Sequence, residues 1–362
     1  MRLSPSDIIV QELLEPAVKS LTERAEIGGT TAGTVFFEYA AFCTAQLEDQ
    51  QAIADIKRME TLHKNKQEES NRYIDAIRDA ERRDDRESAK AFSRDRERAQ
   101  KLQRMDKTEL QRLYNLQQTF LRNAIENFLR CFAACSDYDH YVPKFCAIWL
   151  KNTKQKGLNS IAGMGLHRVS SYKFLPLMHQ LCSRLSSESN EFQVALTELI
   201  FRILTDHPFH SVHQVFSSMS SVGDSVANSR SLAARGLIEK LKQTSSGKIM
   251  ATSVIVGRLV DQFAAYSEFA SLPVNKRVHP NNEVPLSAYP SLRKFRSKVM
   301  VEDMQLPPPS LVISISPERN YSNVPYIQKY RQTFRLAGGV NQPKILESVL
   351  SNGKSFRELV EI

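Results

Sequence analysis

Glycine and proline are scarce in this chain, 13 and 15 residues out of 362. So few helix breakers, beside abundant Leu, Ala, Glu, Gln and Arg, favour helices. Cysteine is rarer still. Its five residues, Cys43, Cys131, Cys135, Cys146 and Cys182, form no Cys-x-x-Cys pair, which speaks against a zinc knuckle or a redox dithiol. All five lie in helical patterns and read as reduced core thiols of a cytosolic or nuclear protein. No apolar run approaches the roughly 18 residues of a membrane span. Met1 to Val10 lacks the basic start and long apolar stretch of a signal peptide. No Gly-x-Ser-x-Gly elbow accompanies the many serines, so hydrolase chemistry has no support.

What is present is a globular composition, 41% hydrophobic and 25% charged. A chain of this length accommodates two or more domains and buries about three-quarters of its unfolded surface. The net charge is +9, from 49 basic and 40 acidic residues. The two signs are interleaved rather than segregated, so direct nucleic-acid contact is not expected.

Helical periodicity dominates the first three-quarters of the chain. A short pattern covers Ile8 to Leu21 and breaks at Gly28-Gly29-Thr30-Thr31. Phe36, Tyr39, Ala40, Cys43 and Leu47 then recur at the spacing of one buried helix face. From Glu48 to Leu121 the chain is highly charged, with ten basic and seven acidic residues between Glu81 and Lys107. This predicts a pair of long helices with solvated faces and opposite charges four residues apart. A further run extends from Leu121 to Leu150, with Pro143 near the start of its second helix. Lys151 to Arg168 reads as a Gly/Lys/Ser loop and Tyr172 to Leu185 as an apolar block. More helices follow over Phe192–Leu204, Pro208–Met219, Ser231–Leu241 and Ile249–Phe269. Such lengths and short turns predict stacked antiparallel helix pairs, although no strict repeat period is visible.

Prolines cluster from Leu272 to Pro309 and exclude a continuous helix there. Beyond them the period becomes that of strands. Leu311, Ile313 and Ile315 alternate within Ser310–Ser316, and Tyr330–Ala337 and Lys344–Ser351 are further candidates. Asn352-Gly353 before Phe356–Val360 predicts a two-residue hairpin. The expected C-terminal element is an antiparallel sheet of three or four strands, too few for a complete domain.

Three segments carry a resemblance. Tyr172-Lys-Phe-Leu-Pro-Leu-Met-His-Gln-Leu-Cys-Ser-Arg-Leu185 with Asp206-His207-Pro208 and His210 is the first. Asp137 to Asn152, containing Phe145-Cys-Ala-Ile-Trp149-Leu-Lys-Asn152, is the second. Phe334-Arg-Leu-Ala-Gly-Gly-Val-Asn-Gln-Pro-Lys344 is the third. In this order they resemble the ATM-type checkpoint kinases, including the fungal telomere-maintenance members, of the phosphatidylinositol-3-kinase-related family. The resemblance spans roughly residues 35 to 360.

It implies a mostly α chain, a FAT-type α-solenoid of TPR-like helix pairs followed by a small incomplete antiparallel sheet of a kinase N-lobe. The implied domains are a helical region over 1–271, a Pro-rich linker over 272–309, and the beginning of the lobe over 310–362. A loop between the first two lobe strands covers the ATP phosphates, and small residues let its backbone approach closely. The resemblance assigns Ala337, Gly338, Gly339, Val340, Asn341 and Lys344 to that site, with Lys344 as a loop residue approaching phosphate. By spacing alone, Gly338 and Gly339 fit a plain hairpin turn equally well.

Phosphoryl transfer also needs a strand lysine, a catalytic Asp and metal-holding Asn and Asp. Where the family's strand reads Leu-Val-Lys-Gly, this chain has Leu359-Val360-Glu361-Ile362, and it contains neither the Gly-Asp-Arg-His nor the Asp-Phe-Gly motif. No catalytic or metal-ligating residue is therefore assigned, and the chain as given is expected to be inactive, a truncated product or fragment. ATP and magnesium are cofactors of the intact parent only, with none expected for this piece. His207, His210 and His213, imagined with Cys182 as a metal site, read instead as the opening of a helix.

The resemblance further implies a nuclear parent that phosphorylates Ser or Thr before Gln in double-strand-break signalling and telomere maintenance. Its implied partners are the rest of its own kinase domain, a second copy through the FAT region, and an MRN-type break-sensor complex. The rival reading is a free-standing helical-repeat adaptor. An adaptor should close with a polar capping helix, whereas strand edges without partners favour a fragment.

Overall fold

Burial follows the three- and four-residue spacing first seen in the sequence. Phe36, Tyr39, Ala40 and Cys43 are all buried on one face of a helix over Thr30–Glu48. The computed structural model describes residues 6–24, 27–220, 223–243, 247–274, 281–296, 305–338 and 342–361. They fall into two compact units, residues 1–169 and 170–362. These units part at a different place from the division implied by the family resemblance.

In the first unit, α1 (Ser6–Ile9), a π-helical turn (Val10–Leu14) and α2 (Glu15–Glu23) precede α3 (Thr30–Glu48). Two long helices follow, α4 (Gln50–Arg82) and α5 (Arg86–Ala134). Each begins at a capping aspartate: Asp49 Oδ1 accepts the Gln51 N–H at 3.1 Å, and Asp85 Oδ1 accepts the Ser88 N–H at 3.1 Å. The sequence placed this helix pair correctly, but its charge pairs are mostly three residues apart, as in Lys66–Glu69, Arg98–Asp95 and Arg112–Glu109. Gln67–Gln103 and Glu60–Tyr114 hydrogen bonds join the two helices across the hairpin.

The C-terminal half of α5 enters the core with α3, α6 (Val142–Lys151) and α7 (Leu158–Leu166). Phe128, Phe132, Phe145 and Trp149 form its centre. The buried Trp149 indole donates to Asn159 Oδ1 at 3.0 Å, and Asn159 donates onward to Thr153 O at 2.7 Å. Helix α7 occupies a stretch that the sequence presented as loop. Its Gly165 is needed because a Cβ there would lie 2.6 Å from Leu129 Cδ1.

The second unit opens with a 3₁₀ segment (Ser171–Leu177), followed by α8 (Met178–Ser183), α9 (Glu191–Asp206), α10 (Pro208–Met219), α11 (Ser225–Gln243) and α12 (Gly247–Ser271). The Pro-rich stretch then supplies β1 (Glu283–Pro285), two short 3₁₀ turns and α13 (Arg293–Arg296). Strand β1 is absent from the sequence-based expectation. Its one proline, Pro285, suits an edge, where a missing N–H costs no ladder bond.

Four more strands complete a five-stranded antiparallel sheet, one strand beyond the upper expectation. They are β2 (Ile327–Tyr330), β3 (Thr333–Leu336), β4 (Lys344–Leu350) and β5 (Ser355–Val360). Strands β2 and β3 are two pieces of one interrupted strand along β4, and β5 pairs with β4 as well. The β4–β5 hairpin is where Asn352-Gly353 placed it, with Gly353 at φ 80°. Its connection is longer than two residues, since Leu350 N donates to Lys354 O and the ladder resumes at Val349–Ser355.

Ser310–Ser316 is not a strand. Leu311 N–H donates to Pro308 O, and Ile313 O accepts from a histidine, so neither group enters a ladder. Leu311 and Ile313 are half-buried as the alternation required, but Ile315 is exposed and Val312 is 95% exposed. β-propensity without a pairing partner does not make a strand.

Candidate functional site: the β3–β4 loop and its helical support

Lys344, Leu336 and the residues between them decide what the loop can do. Leu336 pairs with Lys344 in the β3–β4 ladder, and Ala337 N–H donates to Pro343 O at 2.8 Å, closing the neck of the turn. Ala337 is half-buried and Gly338 exposed. A Cβ built on Gly338 meets nothing within 4 Å, so the chain's own packing does not demand glycine there. The assigned residues Gly339, Val340 and Asn341 lie outside the described residues.

Lys344 is no loop residue: it begins β4 and is only 1% exposed. Its ammonium donates to Ala270 O at 2.7 Å and lies 5.9 Å from the Phe269 ring centroid. Burial holds its pKa below the ordinary lysine value. The carbonyl it caps lies in the last turn of α12, where helix carbonyls lack intrahelical partners and a cation is favourable. The physical reason it left the loop is period: Lys344, Leu346, Ser348 and Leu350 alternate onto the buried face of β4.

Two further contacts come from the same face of α12. Gln262 Nε2 donates to Pro307 O at 3.0 Å, and the Tyr266 hydroxyl donates to Glu358 Oε2 at 2.7 Å. Gln262, Tyr266 and Ala270 are spaced by four, so one helix stripe fastens the linker, β5 and β4 in turn. Glu358 is 3% exposed, and its other oxygen accepts from Ser310 N and Ser310 Oγ at 3.1 and 2.9 Å. Burial raises its pKa, and these hydrogen bonds oppose the rise. The Tyr330 hydroxyl lies 3.3 Å from that of Tyr266. Around this polar knot, Phe269 packs 5.0 Å from Phe334 and 5.4 Å from Phe295, between ring centroids. Leu286, Leu292, Ile327 and Leu346 belong to the same buried cluster.

None of these supports was legible beforehand. The sequence did not single out Glu358; the spacing of Gln262, Tyr266 and Ala270 by four is the one local signal of α12's role.

His207 and His210 each contact a residue of the 306–327 segment. His207 Nδ1 lies 2.6 Å from the Tyr321 hydroxyl, and His210 Nε2 lies 2.9 Å from Ile313 O. No group of three or more His, Cys, Asp or Glu side chains converges among the described residues. Burial pushes the thiols of Cys43, Cys146 and Cys182 up to about 12. No described helix is long and apolar enough to cross a membrane.

No protein-family model matches the chain. Serine/threonine-protein kinase tel1 of Aspergillus oryzae is 35% identical over 364 residues, covering 99% of this chain and 12% of the relative. Serine-protein kinase ATM of Sus scrofa is 28% identical over 276 residues, 71% of this chain and 9% of that protein. A solved structure described as the FAT and kinase domain of CtTel1 superposes with TM-score 0.82 at 29% identity. That match covers 99% of this chain and 23% of the other. The chain is homologous to the Tel1/ATM serine/threonine protein kinases.

It corresponds to their FAT and kinase N-lobe region, and the adaptor reading is not favoured. A complete CtTel1 dimer with C2 symmetry matches equally well, at TM-score 0.82 and 29% identity over 99% of this chain and 12% of that one. The chain thus spans about an eighth of the Tel1 relatives' length. The β3–β4 turn is where the Tel1 resemblance set the phosphate-covering loop.

Proposed function

We propose that this chain serves as the junction between the FAT scaffold and the ATP-binding lobe of a Tel1/ATM-type kinase. What carries the reading is a match to Tel1 over 99% of the chain that extends through the β3–β4 loop. In family terms, residues 1–271 are the FAT region, 272–309 the linker and 310–362 the start of the lobe.

In this reading Ala337 to Asn341 cover the ATP phosphates. An exposed Gly338 with open space around it suits close backbone approach to an anion. Lys344, buried on Ala270 O, anchors the loop's exit strand and does not reach phosphate itself. ATP and magnesium would be bound by the longer protein, which supplies the catalytic lysine, Asp and metal ligands. This chain alone lacks the family's Gly-Asp-Arg-His and Asp-Phe-Gly motifs and is expected to transfer no phosphoryl group.

The same reading makes the longer protein nuclear, dimeric through its FAT region, and active in double-strand-break signalling and telomere maintenance beside an MRN-type sensor complex. Its substrates would carry Ser or Thr followed by Gln, and this region would not touch DNA directly. The test is immunoprecipitation from the source cells with an antibody against residues 1–362. A long polypeptide that phosphorylates a Ser-Gln peptide with ATP and magnesium, but not its Ser-Ala counterpart, supports the reading. A 41.2 kDa product without kinase activity makes the chain a binding scaffold and overturns it.

A further inference from the structure

The segment between Leu306 and Ile327 is a long stretch without helix or strand, closed at its neck by Ile327 N–H donating to Leu306 O at 2.9 Å. Loops of this length inside a compact unit are uncommon unless they have a task. Only Leu306, Pro307 and Pro308, at one end, are buried, and the residues beyond them are half-buried or exposed, so apolar burial does not hold the rest of the loop. Its outward half is instead fastened by three side chains from one helix junction.

Asp206 ends α9, His207 caps α10, and His210 stands in the first turn of α10. Arg319 Nη1 lies 3.0 Å from Asp206 Oδ1, and Asp206 Oδ2 accepts the Ser171 hydroxyl at 2.5 Å. The Tyr321 hydroxyl meets His207 Nδ1, while its ring packs 5.6 Å from Phe209 and 5.5 Å from His210, between centroids. His210 Nε2 holds the Ile313 carbonyl. These are the residues of the Asp-His-Pro-x-His signature, to which the phosphate-covering loop gives no job. Asp206 and His207 are buried at 8% and 0% exposure, so each is costly to leave without its partner.

The loop also carries Ser310, which donates two hydrogen bonds to the buried Glu358 of β5. We propose that Asp206, His207 and His210 form a clasp that holds the 306–327 loop shut and thereby keeps Ser310 on Glu358. Opening the clasp frees the loop while α9, α10 and the β4–β5 hairpin stay folded. Few anchors and little buried apolar surface are what make such local opening cheap relative to global unfolding. The inference concerns this chain alone and stands or falls separately from the kinase reading.

Hydrogen exchange of residues 1–362 tests it, comparing wild type with Tyr321→Phe, Arg319→Ala and the pair. The amides to follow, among the hydrogen-bonded ones in the loop, are Ser310, Leu311, Arg319, Asn320 and Val324. Each single variant should speed their exchange about ten-fold, and the pair by at least the product, with the β4–β5 amides unchanged. Unchanged loop exchange overturns the clasp. So does a parallel rise in β4–β5 exchange, which would make these contacts contributors to global stability only. Trypsin cleavage after Arg319 gives a second reading. It should quicken in Tyr321→Phe, and an equal rate in wild type and variant rejects the proposal.

Discussion

At the residue scale, buried titratable groups set the chemistry, and His207 is the clearest. It is fully buried, and burial lowers its pKa to about 4 from an ordinary 6.5. Asp206 acts against that shift, while His210 and Arg319 add to it, and Tyr321 completes the surroundings. A histidine kept neutral by folding binds more protons when unfolded. Its contribution is therefore complete above about pH 6.5 and lost as pH falls toward 4. The second unit should lose roughly 2–4 kcal/mol across that window, less in His207→Gln. Urea unfolding at pH 7.5 and pH 4.5 measures this, and an equal loss in the variant would remove His207 as the cause. The sequence showed this histidine in a recognisable motif but gave its neighbours as a helix start. Tyr321, 114 positions away, could not be seen beside it.

At the scale of elements, local signals were reliable wherever period and caps agreed. Helices α9, α10 and α12 lie within a few residues of their expected bounds, because an amphipathic face continues until a cap or proline stops it. Strands were harder. Ser310–Ser316 has the alternation and no partner, whereas β1 sits among prolines and has one. The partner, not the propensity, decides a strand.

The α12–β4 link offers a test at this scale. Lys344→Met removes a buried charge but leaves Ala270 O without its donor, two opposing effects of about 1–3 kcal/mol each. Stability of residues 1–362 at pH 7 should therefore change by less than about 1 kcal/mol, whereas Lys344→Ala should cost about 2–4 kcal/mol through the cavity. Because folding lowers the lysine pKa, wild type should gain stability as pH rises toward 10.5, and the Met variant should not. Denaturant midpoints at pH 7 and pH 10 decide; a large loss in Lys344→Met at pH 7 would mean the hydrogen bond dominates.

For the molecule as a whole, the shared core matters most. Tyr266 and Phe269 of α12 pack with Val284, Leu292 and Phe295 of the Pro-rich stretch and with Phe334 and Leu346 of the sheet. Cutting after Ser271 removes that covering and leaves Gln262 and Tyr266 without their partners. Residues 1–271 should bind a hydrophobic dye and lose the α12 helix signal at a lower temperature than residues 1–362. Matching melting curves without dye binding would show that α12 is stable alone.

The sequence by itself determined most of the longer helices, though not α7, the long charged hairpin, the change from helical to strand period and the kinship with Tel1 and ATM. Each rests on residues a few positions apart, or on an ordered set of motifs. Only the tertiary structure decided that Lys344 caps a helix, that Glu358 is buried beneath Tyr266, and that the Asp-His-Pro-x-His motif grips Tyr321 and Arg319. Those contacts join residues between 48 and 114 positions apart. Burial and hydrogen-bond partnership at that range arise from packing, and neither spacing nor composition encodes them locally.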